Sequence, residues 1–369
     1  MEKEITWISL LVIAGVAGGF YLLFPRISRR GLLFGVYIGE EASAGEAARR
    51  ITRSWYLGMG LWLAAVVGIG LFMGLRHQSM VGSLASLFLL PIGFLEEYLR
   101  AYSRARGLAH QRGVPPAAAF ILVGESRPLF LPFLAMAFGL AGGLYALGFA
   151  WSHYSELPNL VPVHFGLMGK PDGWRPRSIF SAMMPSILCL IMGVGIAGMA
   201  YLIGQAKRAV RSDDQGVSFH AQQRFRRIMA NFLAIVSLLL TAMLAILAQS
   251  SIRVALGREQ ALSPAMMILS LVLVAVSFAG SIYIALKYGQ GGSRLEESAA
   301  ERPLTNGLAD NRLWILGMIY VNRDDPSIFV ERRFGLGYTI NFGNPKAVAL
   351  LCGFLGLIIL IAVISEFVG

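Results

Sequence analysis

Between residues 153 and 172 the chain places two imidazoles and two carboxylates: His153, Glu156, His164 and Asp172. Nitrogen and oxygen donors of this kind suit a divalent metal such as zinc, and a metal-bound water beside Glu156 or Asp172 would be a hydrolytic nucleophile. His153 and Glu156 fall about one helical turn apart, whereas His164 and Asp172 must fold back to meet them. The same residues have a simpler use: His164 and Asp172 tie the loop, and Trp174 anchors it at a membrane interface. A second group, Asp324, Asp325, Arg332, Arg333 and Asn341, punctuates an aromatic and β-branched stretch near the C-terminus. Asp324-Asp325 could hold a cation, and Asp-Asp-Pro is equally a turn sequence. No HExxH, GxSxG, Walker A or dinucleotide fingerprint occurs, so the chain is read as a non-enzyme without a catalytic residue set.

The elements that must position these residues are apolar helices. Of 369 residues, 56% are hydrophobic and 14% charged, with a mean hydropathy of +0.63. That is roughly half the charge of a soluble domain, and it excludes an ordinary cytosolic enzyme, a disordered chain and a disulfide-stapled module. The two cysteines, Cys189 and Cys352, both sit in apolar runs, so neither a disulfide framework nor a CxxC metal site is expected. The N-terminus, acidic and lacking a basic n-region, reads as a retained first helix rather than a signal peptide.

A bilayer core needs about 20 apolar residues per helix. Eight stretches qualify: 5–24, 57–75, 79–97, 130–152, 179–204, 229–250, 264–286 and 347–368. The third is interrupted by Pro91 and closed by Glu96-Glu97, which leaves a re-entrant segment as its alternative. The odd-numbered loops hold 25 Lys and Arg, the N-terminus and even-numbered loops 7. The positive-inside rule then puts the odd loops in the cytoplasm and both termini outside, and it explains the net charge of +11 without nucleic-acid binding. The fold class is thus an all-α polytopic membrane protein with small β-hairpin-like cytoplasmic segments. The chain divides into an N-terminal three-helix region (1–128), a helix pair with the external loop 153–178 (129–205), a further pair (206–287), a cytoplasmic linker and small module (288–345) and a last helix (346–369). Glycines should let helices approach closely: Gly15-x-x-x-Gly19, Gly139-x-x-x-Gly143, and the cluster Gly193, Gly195 and Gly198.

In the first loop, residues 29–38 alternate like a short strand. Ser43-Ala-Gly-Glu46 then makes a capping box for a helix carrying Arg49, Arg50 and Arg53, a face for anionic headgroups or simply a solvated one. The third loop reads as a polar helix with Arg100, Arg104 and Arg106, and the fifth carries Lys207, Arg208, Arg211, Asp213, Asp214, Arg224, Arg226 and Arg227. Residues 288–310 read as a flexible linker, and 311–345 as a small hairpin structure at the membrane face.

The fourth loop carries the most specific pattern. Leu157, Pro158, Val161, Pro162, His164, Phe165, Gly169, Pro171, Asp172 and Trp174 fit L-P-x-x-(I/V)-P-x-H-(F/W) followed by G-x-P-D-x-W. The chain here resembles the bacterial SdpI-like integral membrane protein family, in a long form with an additional C-terminal cytoplasmic module, the run from Asp324 to Phe342. Gly166 stands where relatives often carry Asn or Asp. The resemblance implies the bacterial cell membrane and an immunity or signalling role, with Pro162, His164, Gly169, Asp172 and Trp174 forming the functional loop. The expected partners are membrane lipids, a toxic peptide or other envelope component outside, and a cytoplasmic regulator. A multispanning transporter or lipid-handling permease is the alternative, and a metal-dependent membrane hydrolase comes third.

Overall fold

The computed structural model describes residues 2–77, 85–109, 120–123, 129–166, 169–205, 208–211, 217–289, 292, 294–295, 310–334 and 337–368. In chain order its main elements are α1 (Glu2–Ile27), the hairpin of β1 (Leu32–Leu33) and β2 (Val36–Tyr37), the single turn α2 (Glu40–Ala44), α3 (Glu46–His77) and α4 (Leu89–Leu108). Helix α5 (Phe130–Ser152) leads into the hairpin of β3 (Leu160–Phe165) and β4 (Pro171–Pro176), then α6 (Ile179–Gln205), α7 (Val217–Ala255) and α8 (Pro264–Tyr288). Two further hairpins, β5 (Trp314–Ile315) with β6 (Ile319–Tyr320) and β7 (Phe329–Glu331) with β8 (Tyr338–Ile340), precede α9 (Pro345–Val368).

Among the described residues five helices are long and apolar enough to cross a bilayer: Glu46–Gly74, Phe130–Ser152, Ile179–Gly204, Gln223–Ala255 and Pro264–Tyr288. The chain is therefore a helical, multi-pass membrane protein. Helices α1 and α9 cover the first and last expected spans, with shorter apolar stretches at Ala14–Ile27 and Pro345–Leu360. The expected third span begins in residues 78–84, which lie outside the described residues, and passes through a 3-10 turn at Ser86–Phe88 into α4.

The polar helices expected in the first and third loops, and the second basic cluster of the fifth, are continuous with the spans. Arg49, Arg50 and Arg53 ride on the first turns of α3, Arg100, Arg104 and Arg106 on α4, and Arg224, Arg226 and Arg227 on α7. Arg and Glu are good helix formers, so a switch to charged residues marks where a helix leaves hydrocarbon rather than where it ends. At 1.5 Å per residue, α3 is about 48 Å long against a core of about 30 Å. The strand expected over 29–38 is instead the β1–β2 hairpin, because Phe34 and Gly35 both take positive φ, 46° and 75°, and turn the chain back within two residues. Lys207, Asp213, Asp214 and most of the linker 288–310 lie outside the described residues.

Packing divides the chain into two units, one of Met1–Ile121, Ala209–Ala221 and Ala285–Asn344, the other of Leu122–Arg208, Gln222–Ile284 and Pro345–Gly369. The first has an aromatic core. Phe334 is buried, with its ring 4.8 Å from Phe24, 4.5 Å from Tyr98, 6.0 Å from Phe34 and 6.5 Å from Trp55. It thereby fastens the 310–344 module to α1, α3, α4 and the β1–β2 hairpin.

The second unit is organised by small residues. A Cβ on Gly139 of α5 would stand 2.7 Å from the Gly193 carbonyl carbon of α6, and one on Gly143 2.6 Å from Leu190 Cα. Ser237 of α7 donates to Gly193 O at 2.9 Å. Gly15 and Gly19, expected to do the same, meet nothing within 4 Å; Gly18 faces Leu63 of α3 instead. Gly198 is also open. A Gly-x-x-x-Gly spacing puts two glycines on one face, and whether a partner covers that face is not local information.

Candidate functional site

The β3–β4 hairpin of the second unit is held at its base by apolar residues. Leu157 and Val161 are buried against Ala150 of α5, Ala182 and Met183 of α6 and Ile252 of α7. Its turn is tied down at Gly169, whose carbonyl accepts from Leu262 N at 2.8 Å. Gly169 has φ +72°, and a Cβ there would lie 3.2 Å from the Leu262 backbone nitrogen, so the glycine serves the docking of the turn. Pro162 is buried and pairs with Trp174 across the hairpin; Leu160 pairs with Pro176. Asp172 and Trp174, two apart on β4, share the exposed face. The ladder shifts register on both sides of His164, and this irregularity brings His164 Nδ1 to 2.5 Å from Asp172 Oδ1.

His164 and Asp172 thus come together, and the other two expected metal ligands do not join them. Glu156 is engaged by Arg258 at 2.9 Å, and His153 Nδ1 lies 2.9 Å from Phe149 O and 3.1 Å from Ser152 Oγ. Among the described residues no three His, Cys, Asp or Glu side chains gather as metal ligands. The expected four-ligand arrangement is corrected on this geometry: an arginine 102 residues away supplies the charge that a metal would have supplied to Glu156.

In the first unit the polar residues of the C-terminal module turn inward. The β1–β2 and β5–β6 tips meet face to face, both built on a residue-glycine pair with positive φ: Phe34-Gly35, and Leu316-Gly317 at 50° and 68°. A Cβ on Gly35 would stand 2.7 Å from Gly317 O. The Tyr98 hydroxyl of α4 donates to Leu316 O at 2.7 Å, with Phe34 O at 3.3 Å. Arg333 Nη1 donates to Asn311 Oδ1 at 2.7 Å and Gly35 O at 3.3 Å. Asn311 clasps the β2 edge, accepting from Tyr37 N and donating to Tyr37 O, both at 2.9 Å.

Arg333 is 1% exposed, and its guanidinium lies 5.1 Å above the Trp314 ring. Burial brings its pKa down to about 9, partly offset by the Asp310 carboxylate. Asp310 is held below the ordinary carboxylate range, first by the hydrogen bond from the Arg312 side chain. Burial pushes the Tyr320 hydroxyl up, and it donates to Asp325 Oδ2 at 3.0 Å.

Asp325 Oδ1 accepts from Ser327 N at 2.9 Å, so of the two readings of Asp324-Asp325 the turn is the one formed, with both Asp325 oxygens engaged. Asp324 is exposed. Asn341 is fully buried and fully engaged: its Oδ1 accepts from Asn322 N and Gly343 N, and its Nδ2 donates to Asn322 O and Asp325 O. Arg332 Nε donates to Tyr338 O at 3.1 Å, bracing β7 against β8. Sequence reasoning missed Tyr98, Asp310 and Asn311. The signal present was the pair of apolar-x-Gly-apolar tips at 33–36 and 315–318, which spell two similar turns.

The fold and site define a helical membrane protein with one exposed polar hairpin and one buried polar cluster. Residues 142–189 match a domain of unknown function, DUF1648, which takes in the end of α5, the hairpin and the start of α6. Residues 323–348 match a family of unknown function, DUF5808, which takes in most of the module. No curated protein and no solved structure matches the chain.

Proposed function

We propose that this is a receptor-type membrane protein of the SdpI-like kind. In this reading it has eight spans with both termini outside, lies in a bacterial cell membrane, and recognises an envelope component or toxic peptide at the β3–β4 hairpin in an immunity or signalling role. One observation carries the reading. Of the patterned loop residues, Leu157, Val161, Pro162 and Gly169 are used up in packing, while the His164 and Asp172 side chains are 72% and 52% exposed and Trp174 49%. Exposed aromatic and charged groups on a rigid, docked hairpin are the ordinary makings of a recognition face. The 310–344 module, whose Asn311, Asp325 and Asn341 spend their side-chain bonds internally, serves as a structural support that a cytoplasmic regulator would meet from outside.

The test is protection. A bacterial host carrying the wild-type chain is challenged with secreted toxic peptides and envelope stress beside a host carrying the combined His164→Ala, Asp172→Ala, Trp174→Ala variant. Loss of protection at equal membrane abundance supports the reading. Equal protection by both chains overturns it.

A further inference from the structure

Beside the hairpin, in the same unit, the last turns of α5 and first turns of α6 enclose a groove of about 690 Å³. Leu147, Gly148 and Trp151 form one wall, Phe180, Met183 and Ile187 the other. It lies wholly within two helices of membrane-crossing length, and none of its lining side chains carries a charge. One wall residue, Trp151, leads out of it to a charged group. The Trp151 ring stacks on Tyr154 at 6.4 Å with planes 12° apart, and the Arg177 guanidinium sits 5.7 Å above the same Tyr154 ring. Arg177 is exposed and spends one N–H on Leu157 O at 2.7 Å.

We propose that this groove seats one acyl chain of an anionic membrane lipid, with the headgroup at Arg177. This is a second site in the same unit, made of other residues than the hairpin face proposed above, and it stands independently of that reading. One physical argument selects a lipid over a peptide, and a second locates its selectivity. A peptide in the groove would leave its backbone N–H and C=O groups facing walls without polar partners, which hydrocarbon depth does not tolerate; an acyl chain has none to satisfy. Lipid tails are as apolar as the walls, so burial alone gives little preference for one lipid over another. Selectivity must come from a polar group near the groove, and Arg177, reached from Trp151 through the Tyr154 ring, has donors suited to a phosphate.

The geometry supplies a clean variant. A Cβ on Gly148, a lining residue, meets nothing within 4 Å, so Gly148→Leu starts from open space and adds its bulk at the groove wall. Gly198, also open and on α6, gives Gly198→Leu as the control outside it.

The full chain is purified in detergent and offered equal amounts of phosphatidylglycerol and phosphatidylcholine, and retained lipid is counted by native mass spectrometry. The expected result is one phosphatidylglycerol retained in preference by wild type and Gly198→Leu, its retention lost in Gly148→Leu. Arg177→Gln should cut the preference about tenfold, the size of one charge-assisted contact, with Arg177→Lys restoring most of it. Equal retention by Gly148→Leu and Gly198→Leu, or no preference between the lipids in wild type, overturns the proposal. Lipid retention without any protection phenotype for the hairpin variant leaves the groove standing and removes the receptor reading; the reverse outcome removes only the groove.

Discussion

In the β3–β4 hairpin the polar residues stand outside and the apolar ones hold it down; around Arg333 the arrangement is reversed. Both regions are short hairpins rich in aromatic residues, and each overlaps a stretch shared with other proteins. Yet His164, Asp172 and Trp174 contribute little to packing, whereas Arg333, Asn311 and Asn341 each close several hydrogen bonds inside the molecule. The difference teaches how to read a patterned polar residue. One whose bonds are spent internally keeps the fold, and one left exposed on a docked scaffold is available to a ligand.

That contrast can be broken most violently at Phe334. Phe334→Ala opens the aromatic core of the first unit and should cost about 3–5 kcal/mol, read as a large drop in the thermal midpoint of the purified protein. Next comes the contact between the two hairpin tips. Gly35→Ala places a methyl against a rigid carbonyl at a φ that suits glycine, for about 1–3 kcal/mol. Tyr98→Phe, which leaves Leu316 O without its donor, should cost roughly 1–2 kcal/mol.

Acid offers a finer probe. Asp310 has a depressed pKa in the folded chain, so its contribution is complete above the unfolded carboxylate value and is lost as pH falls through the folded one. The thermal midpoint should therefore decline from about pH 5 towards about pH 3, and Asp310→Asn should flatten part of that decline. Smallest of all is the hairpin. His164→Ala or Trp174→Ala should shift stability by no more than about 0.5 kcal/mol, while the combined variant abolishes protection. A hairpin variant that unfolded like Phe334→Ala would erase the distinction between the two regions.

Much of the helical frame was legible because apolar length is a local quantity. Helices α5, α6, α8 and α9 begin and end within a few residues of the expected spans. What escaped is non-local or conformational. Nothing near Glu156 announces Arg258, and nothing near Tyr98 announces two carbonyls from opposite ends of the chain. The positive φ of Phe34 and Leu316 is imposed by the turns they sit in, against the habit of bulky residues. The similar runs 15–23 and 139–147 match at six of nine positions, yet only the second has its first and last glycines of the motif covered. For the site, the reading of His164 and Asp172 as a tie across the loop is met by their contact. The metal set failed because proximity in sequence does not bring side chains to one point.

The clasp between Asn311 and Tyr37 joins residues 274 apart, and this sets a timetable. A ribosome adding about 5–20 residues per second leaves Tyr37 waiting roughly 15–55 s for its partner. During that interval Phe34 and Trp55 have no Phe334 to cover them. The nascent first third of the chain must be sheltered by bilayer or chaperone until its last third is synthesised, so translation arrest before residue 334 should leave a species that proteases recognise.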